Sequence, residues 1–196
     1  VSQLHQGVAA ALAAELERRG SHWDEEPALY AVQLSADHEH LRIGQFPFTP
    51  DLWAGASPVE VLQIIATALL QLPPGARPLP PGGETYAVAF RVEAWGIPDS
   101  EPGTAQASED ANDALRHRLK NRPDRIELRS MSAVDISGAS YQIEQARGEE
   151  LAVCRIGYPP GEEQPDDPKH CGAVFEELDR ILFALTGAQP PARPRA

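Results

Sequence analysis

Cysteine, lysine and aromatic residues are scarce in this chain of 196 residues. Two cysteines, Cys154 and Cys171, are too few for a disulfide framework and stand at no metal-ligand spacing, so both read as reduced and structural. Lysine occurs only at Lys120 and Lys169, and the formal net charge is −12. Such a chain repels a phosphate backbone, because nucleic-acid affinity is carried largely by basic side chains that neutralise phosphates. Nucleic acid is not an expected partner. The preference for Arg over Lys is the codon signature of a GC-rich genome, which points to a bacterial source. No run approaches the roughly 20 apolar residues of a membrane-spanning helix. Residues 1–14 lack the basic start and cleavage pattern of a signal peptide, so a cytoplasmic location without a membrane partner is expected. Also missing are a G-x-x-x-x-G-K-[ST] phosphate cradle, a G-x-G-x-x-G dinucleotide turn and a G-x-S-x-G nucleophile elbow.

Hydrophobic residues make up 42% and charged residues 23%, values of an ordinary globular chain able to bury a core. Leu4, Val8, Ala11, Leu12 and Leu16 recur at helical spacing and predict a helix over 3–19, ended by Gly20. Two β-prone runs, 29–35 and 41–46, flank a polar stretch and predict an antiparallel hairpin with Tyr30, Val32 and Leu34 on one face. The segment 46–53 has two prolines yet is apolar, so it is expected to pack back over the core. Ser57-Pro58-Val59-Glu60 reads as a capping box with Pro at the first helical position, and opens a helix to about residue 72 that is apolar around much of its circumference.

Five prolines and three glycines at 73–83 break that helix. Residues 86–95 predict a strand with Tyr86, Val88, Phe90, Val92 and Ala94 on the apolar face. A polar helix is expected at 108–121. From Arg125 onward a period of two predicts a three-stranded meander ending near Ile156. Val174, Phe175, Leu178, Ile181, Leu182 and Leu185 then form the stripe of a final helix that stops at Gly187. The expected architecture is α+β: a mostly antiparallel sheet of five or six strands with three main helices packed on one face. Residues 1–187 are read as one domain and 188–196 as a disordered tail.

Several clusters invite chemistry. Asp37-His38-Glu39-His40 offers imidazole and carboxylate ligands, but neighbours at a hairpin tip alternate in direction, so it reads as a solvated turn. In Lys169-His170-Cys171 the adjacent His is badly placed to act as a base for the thiol. Arg116, His117, Arg118, Lys120, Arg122 and Arg125 close a helix that Glu109, Asp110 and Asp113 open, as the helix dipole favours. Ser132, Ser137 and Ser140 belong to strands and turns, and Asp135 reads as a turn-adjacent strand residue. No catalytic residue, metal ligand or cofactor is expected.

The wet face of the 86–95 strand carries Arg91, Glu93 and Trp95, with Arg129 near them. Trp and Arg are enriched at binding hot spots, so these four are the candidate partner-binding residues. The competing reading has the 46–53 segment covering Trp95. The functional expectation is a non-enzymatic interaction protein, regulatory, chaperone-like or immunity-like, that binds itself or a basic partner. The alternative is a small-molecule-binding protein or enzyme with its pocket between sheet and helices.

Overall fold

The computed structural model describes residues 3–20, 22–35, 40–81, 83–96, 121–149, 153–159 and 172–189. In chain order these form α1 (Gln3–Arg19), β1 (Ala28–Leu34), β2 (Leu41–Gln45), α2 (Pro58–Gln71), β3 (Glu84–Gly96), β4 (Ile126–Asp135), β5 (Ser140–Ala146), β6 (Val153–Gly157) and α3 (Ala173–Thr186). Short 3-10 turns occupy Pro50–Trp53 and Pro74–Ala76. The six strands lie in the order β2-β1-β3-β4-β5-β6, every neighbouring pair antiparallel, which makes the fold α+β. None of the described helices is long and apolar enough to cross a membrane. Asp37 to Glu39 of the polar turn, the helix expected at 108–121 except its last residue, Lys169 to Cys171 and the tail from Pro190 onward lie outside the described residues.

Local signals explain the element starts. The capping box of α2 is complete: the Ser57 hydroxyl accepts from the Glu60 amide at 3.3 Å, and Glu60 Oε2 accepts from the Ser57 amide at 2.8 Å. Pro58 follows at the first helical position, where its missing N–H costs nothing. Gly187 closes α3 at a φ of +77°, a left-handed conformation that residues with a Cβ adopt reluctantly.

The helices divide between the two faces of the sheet, which differs from the single covered face that period-two reasoning implies. Leu29, Ala31, Val88, Phe90 and Val134 pack against α2 and α3 in one core, together with Ile65, Leu69, Phe175, Leu178, Ile181 and Leu182. Tyr30, Val32, Ala87, Ala89, Met131, Tyr141 and Ile143 pack against Val8, Leu12 and Leu16 of α1 in a second core. The physical reason lies in the central strands: residues 28–32 and 86–90 are apolar at every position, the pattern of strands buried on both faces. Tyr86 changes sides as well. Val32 pairs with Ala87 and Gln33 with Thr85, so Tyr86 is the extra residue of a bulge and joins the α1 core. The 46–53 segment packs over the core, with Phe46 and Trp53 buried and the Trp53 ring 5.5 Å from Phe90.

Candidate functional site

Beyond the end of α1 its sheet face changes from apolar to charged. Odd-numbered positions of β3 and β4 point to this face, so Arg91, Glu93, Glu127 and Arg129 fall side by side, Glu93 directly opposite Arg129 and Trp95 opposite Glu127. The face is not wet. Arg91 is 2% exposed and Arg129 0%, because the 22–27 connection from α1 to β1 crosses over them. Arg91 Nη2 donates to the carbonyl of Glu26 at 2.8 Å, and its Nη1 lies 2.8 Å from Glu25 Oε2. Arg129 donates through Nε to Glu93 Oε1 at 3.2 Å and through Nη2 to the carbonyl of His22. Its guanidinium sits 4.4 Å from the centre of the Trp23 ring, within cation–π range.

The structure therefore joins three of the four sequence-selected residues, Arg91, Glu93 and Arg129, into one internal ion network. Burial replaces the exposure expected of Arg91 and Arg129. Trp95 differs: it remains 41% exposed, with the Arg125 guanidinium 4.6 Å above its ring and no cover from the 46–53 segment, which lies in the opposite core.

Asp24 joins the network from an unusual backbone. Its φ of +65° is tolerated by aspartate better than by most residues, and its amide donates to Glu93 Oε2 at 2.7 Å. Carboxylate oxygens of Asp24, Glu93 and Glu127 lie within 4.8 Å of one another. Arg129 lies 3.1 Å from Glu93, Arg147 hydrogen-bonds Glu127, and Arg147 stands 3.7 Å from Asp24, so the cluster's charge is compensated by guanidinium groups. The bond to Glu127 also holds Arg147 above the ordinary guanidinium value.

Sequence reasoning passed over Trp23, Gln145 and Arg147. Gln145 and Arg147 share the parity of Tyr141 and Ile143, which was the available signal. Trp23 lies in an irregular connection where no period applies. Beside them a cavity of about 490 Å³ opens between the end of α1 and the turn after β5, walled by Glu17, Trp23, Gln145, Arg147 and Glu149. A second cavity, of about 280 Å³, lies at the start of β1 between Arg19, Arg91 and the aromatic group Phe46, Phe48 and Trp53.

A serine, a histidine and an aspartate do meet elsewhere. His5 Nε2 is 3.0 Å from Ser137 Oγ, which donates to Asp135 Oδ1 at 2.6 Å. In a nucleophilic triad the carboxylate orients the imidazole through the nitrogen that does not face the serine. Here His5 Nδ1 has no hydrogen-bond partner among the described residues, and Asp135 serves the turn instead, accepting from the amides of Ser137 and Ala139 and from the Tyr141 hydroxyl. Burial, reinforced by the Asp135 charge, drives the Tyr141 phenol far above its ordinary value, so it stays a protonated donor. The cluster braces the β4–β5 hairpin. Cys154 is a free thiol on β6, and partial burial pushes its pKa up, away from the thiolate that reactivity needs.

No protein-family model matches the chain, and no similar protein is found among curated proteins or among solved structures.

Proposed function

We propose that this chain is a non-enzymatic interaction protein of the bacterial cytoplasm that binds itself or a basic protein partner. The observation that carries the reading is Trp95, an exposed aromatic side chain at the end of a strand whose backbone is paired with β4 from Ala87 to Gly96 and whose neighbouring charges are locked by ion pairs. A large ring on such a support offers contact area at little cost in conformational freedom. The net charge of −12 favours steering toward basic surfaces and disfavours nucleic acid. Trp95→Ala is the test. Expected is a thermal midpoint close to that of the parent chain, with weakened self-association or loss of the copurifying protein in native mass spectrometry from the source cells. A large fall in midpoint with association intact would refute the assignment.

A second reading, a small-molecule binder, is favoured by one observation. The 280 Å³ cavity combines three aromatic rings with Arg19, Arg91, Glu25 and Glu26, an apolar wall with a few polar groups of the kind that small-molecule sites use. Native mass spectrometry separates the two readings, because it reports a bound small mass in one case and a second chain in the other.

A further inference from the structure

Seven large hydrophobic side chains are exposed among the described residues, and five of them, Ile64, Leu70, Leu72, Leu79 and Phe183, lie on α2, on α3 and in the connection after α2. The two helices run side by side with their C-terminal ends together. Arg180 Nη2 on α3 lies 3.5 Å from Thr67 Oγ1 on α2, and Arg77 donates to the carbonyls of both Leu72 and Ala184, where the helices end. Steps of three residues stay on one side of a helix, so Ile64, Thr67 and Leu70 continue along α2 while Arg180 and Phe183 continue along α3. All five are exposed. Charge is missing from the same face. No charged residue occurs from Val61 to Ala76, in a chain where charged residues make up 23%. Arg77 is engaged with helix carbonyls and Arg180 is paired with Glu177 at 2.6 Å. The acidic side chains Glu60 and Glu176 stand in the first turns of the two helices, at the far end from Leu70 and Phe183.

We propose that this face of α2 and α3 receives the same face of a second copy of the chain, in a two-fold symmetric dimer. Charge selects the occupant. A basic partner is drawn to carboxylates, which the stretch from Val61 to Ala76 lacks. Two chains of net charge −12 repel one another, and the surface on which they meet at least cost is the one that carries none of that charge. A two-fold axis sets each apolar patch on its counterpart. The helices have 14 residues each, so the face is about 21 Å long and about 20 Å wide, roughly 400 Å² per copy before the 72–79 connection is added. That area suits a dimer in exchange with its monomer, not an obligate one. The inference goes beyond the interaction reading, because the face lies across the sheet from Trp95, which is left to the basic partner.

The test is analytical ultracentrifugation of the full chain across the micromolar to millimolar range, at low and at physiological salt. Expected is a monomer–dimer equilibrium that tightens as salt rises, since screening removes the long-range repulsion and leaves the apolar contact. Binding to a basic partner would weaken instead. Ile64→Glu and Phe183→Glu each place a carboxylate in the contact and should weaken the dimer roughly tenfold or more. Both side chains are exposed in the single chain, Ile64 by 58%, so the thermal midpoint of the monomer should change little. Should one variant fold poorly, the other carries the test. Trp95→Ala should leave this dimer intact. A chain that stays monomeric, a dimer that either folded variant leaves untouched, or a dimer that loosens as salt rises would each overturn the proposal. A monomer whose midpoint falls sharply in Ile64→Glu would place a segment of the chain itself over the face. A copurifying protein lost in that variant, in place of a dimer, would place a different partner there. Either result refutes the second copy. The Trp95 assignment fails separately, when Trp95→Ala leaves a copurifying protein bound, whatever the fate of the dimer.

Discussion

Asp135 accepts hydrogen bonds from two backbone amides and two hydroxyls, at distances from 2.6 to 3.0 Å, while 2% exposed. Removing its carboxylate strands the buried Tyr141 hydroxyl and the Ala139 amide. Each unsatisfied buried group costs about 1–3 kcal/mol, so Asp135→Ala is expected to lower unfolding free energy by about 3 kcal/mol or more in denaturant titration. Ser137→Ala should cost less, about 1 kcal/mol, since the carboxylate keeps its other donors and the main loss is the hydroxyl that faces the buried His5 Nε2. At this scale the sequence indicated Asp135 as a strand residue beside the turn, and it is the last residue of β4. The sequence did not indicate His5, because bringing a helix residue to a hairpin 132 positions away is a tertiary fact that no local spacing encodes. The same limit explains Arg91 and Arg129. Alternation correctly placed both on the face opposite Phe90, but whether that face is wet depends on where an irregular connection crosses it.

Among the elements, α2 and α3 were the most legible, because capping chemistry and a 3.6-residue stripe are local signals. The Glu60 carboxyl is held below its usual range, first by the Ser57 amide and then by the Ser57 hydroxyl. A group with a depressed folded value stabilises the protein above its unfolded pKa and loses that contribution as pH falls through the lower folded value. The difference in thermal midpoint between the parent chain and Glu60→Ala should therefore be full near neutral pH and narrow on acidification below the carboxylate range. In α3, Leu182 is buried against α2 and the sheet, and Leu182→Ala should cost about 2–5 kcal/mol in equilibrium unfolding. A loss below about half a kcal/mol would contradict the burial described. The α1 helix was also located from its spacing, yet its side of the sheet was not. The apolar runs of β1 and β3 record burial on both faces without recording which helix covers which.

For the whole molecule, the class of fold followed from the order of periodic segments, whereas the charged end of the sheet emerged only once β3, β4 and the 22–27 connection were in place. β3 runs for 13 residues, hydrogen-bonded to β1 on one side and β4 on the other. It sends Val88 and Phe90 into one core and Ala87 and Ala89 into the other. Neither helical layer can lose its sheet support without opening the strand that also anchors the opposite layer. The two cores are consequently thermodynamically fused: unfolding should proceed as a single transition with the same midpoint for fluorescence and far-ultraviolet dichroism. In native-state hydrogen exchange the amides of residues 87–90 should be released only by global unfolding, later than those of the edge strands β2 and β6.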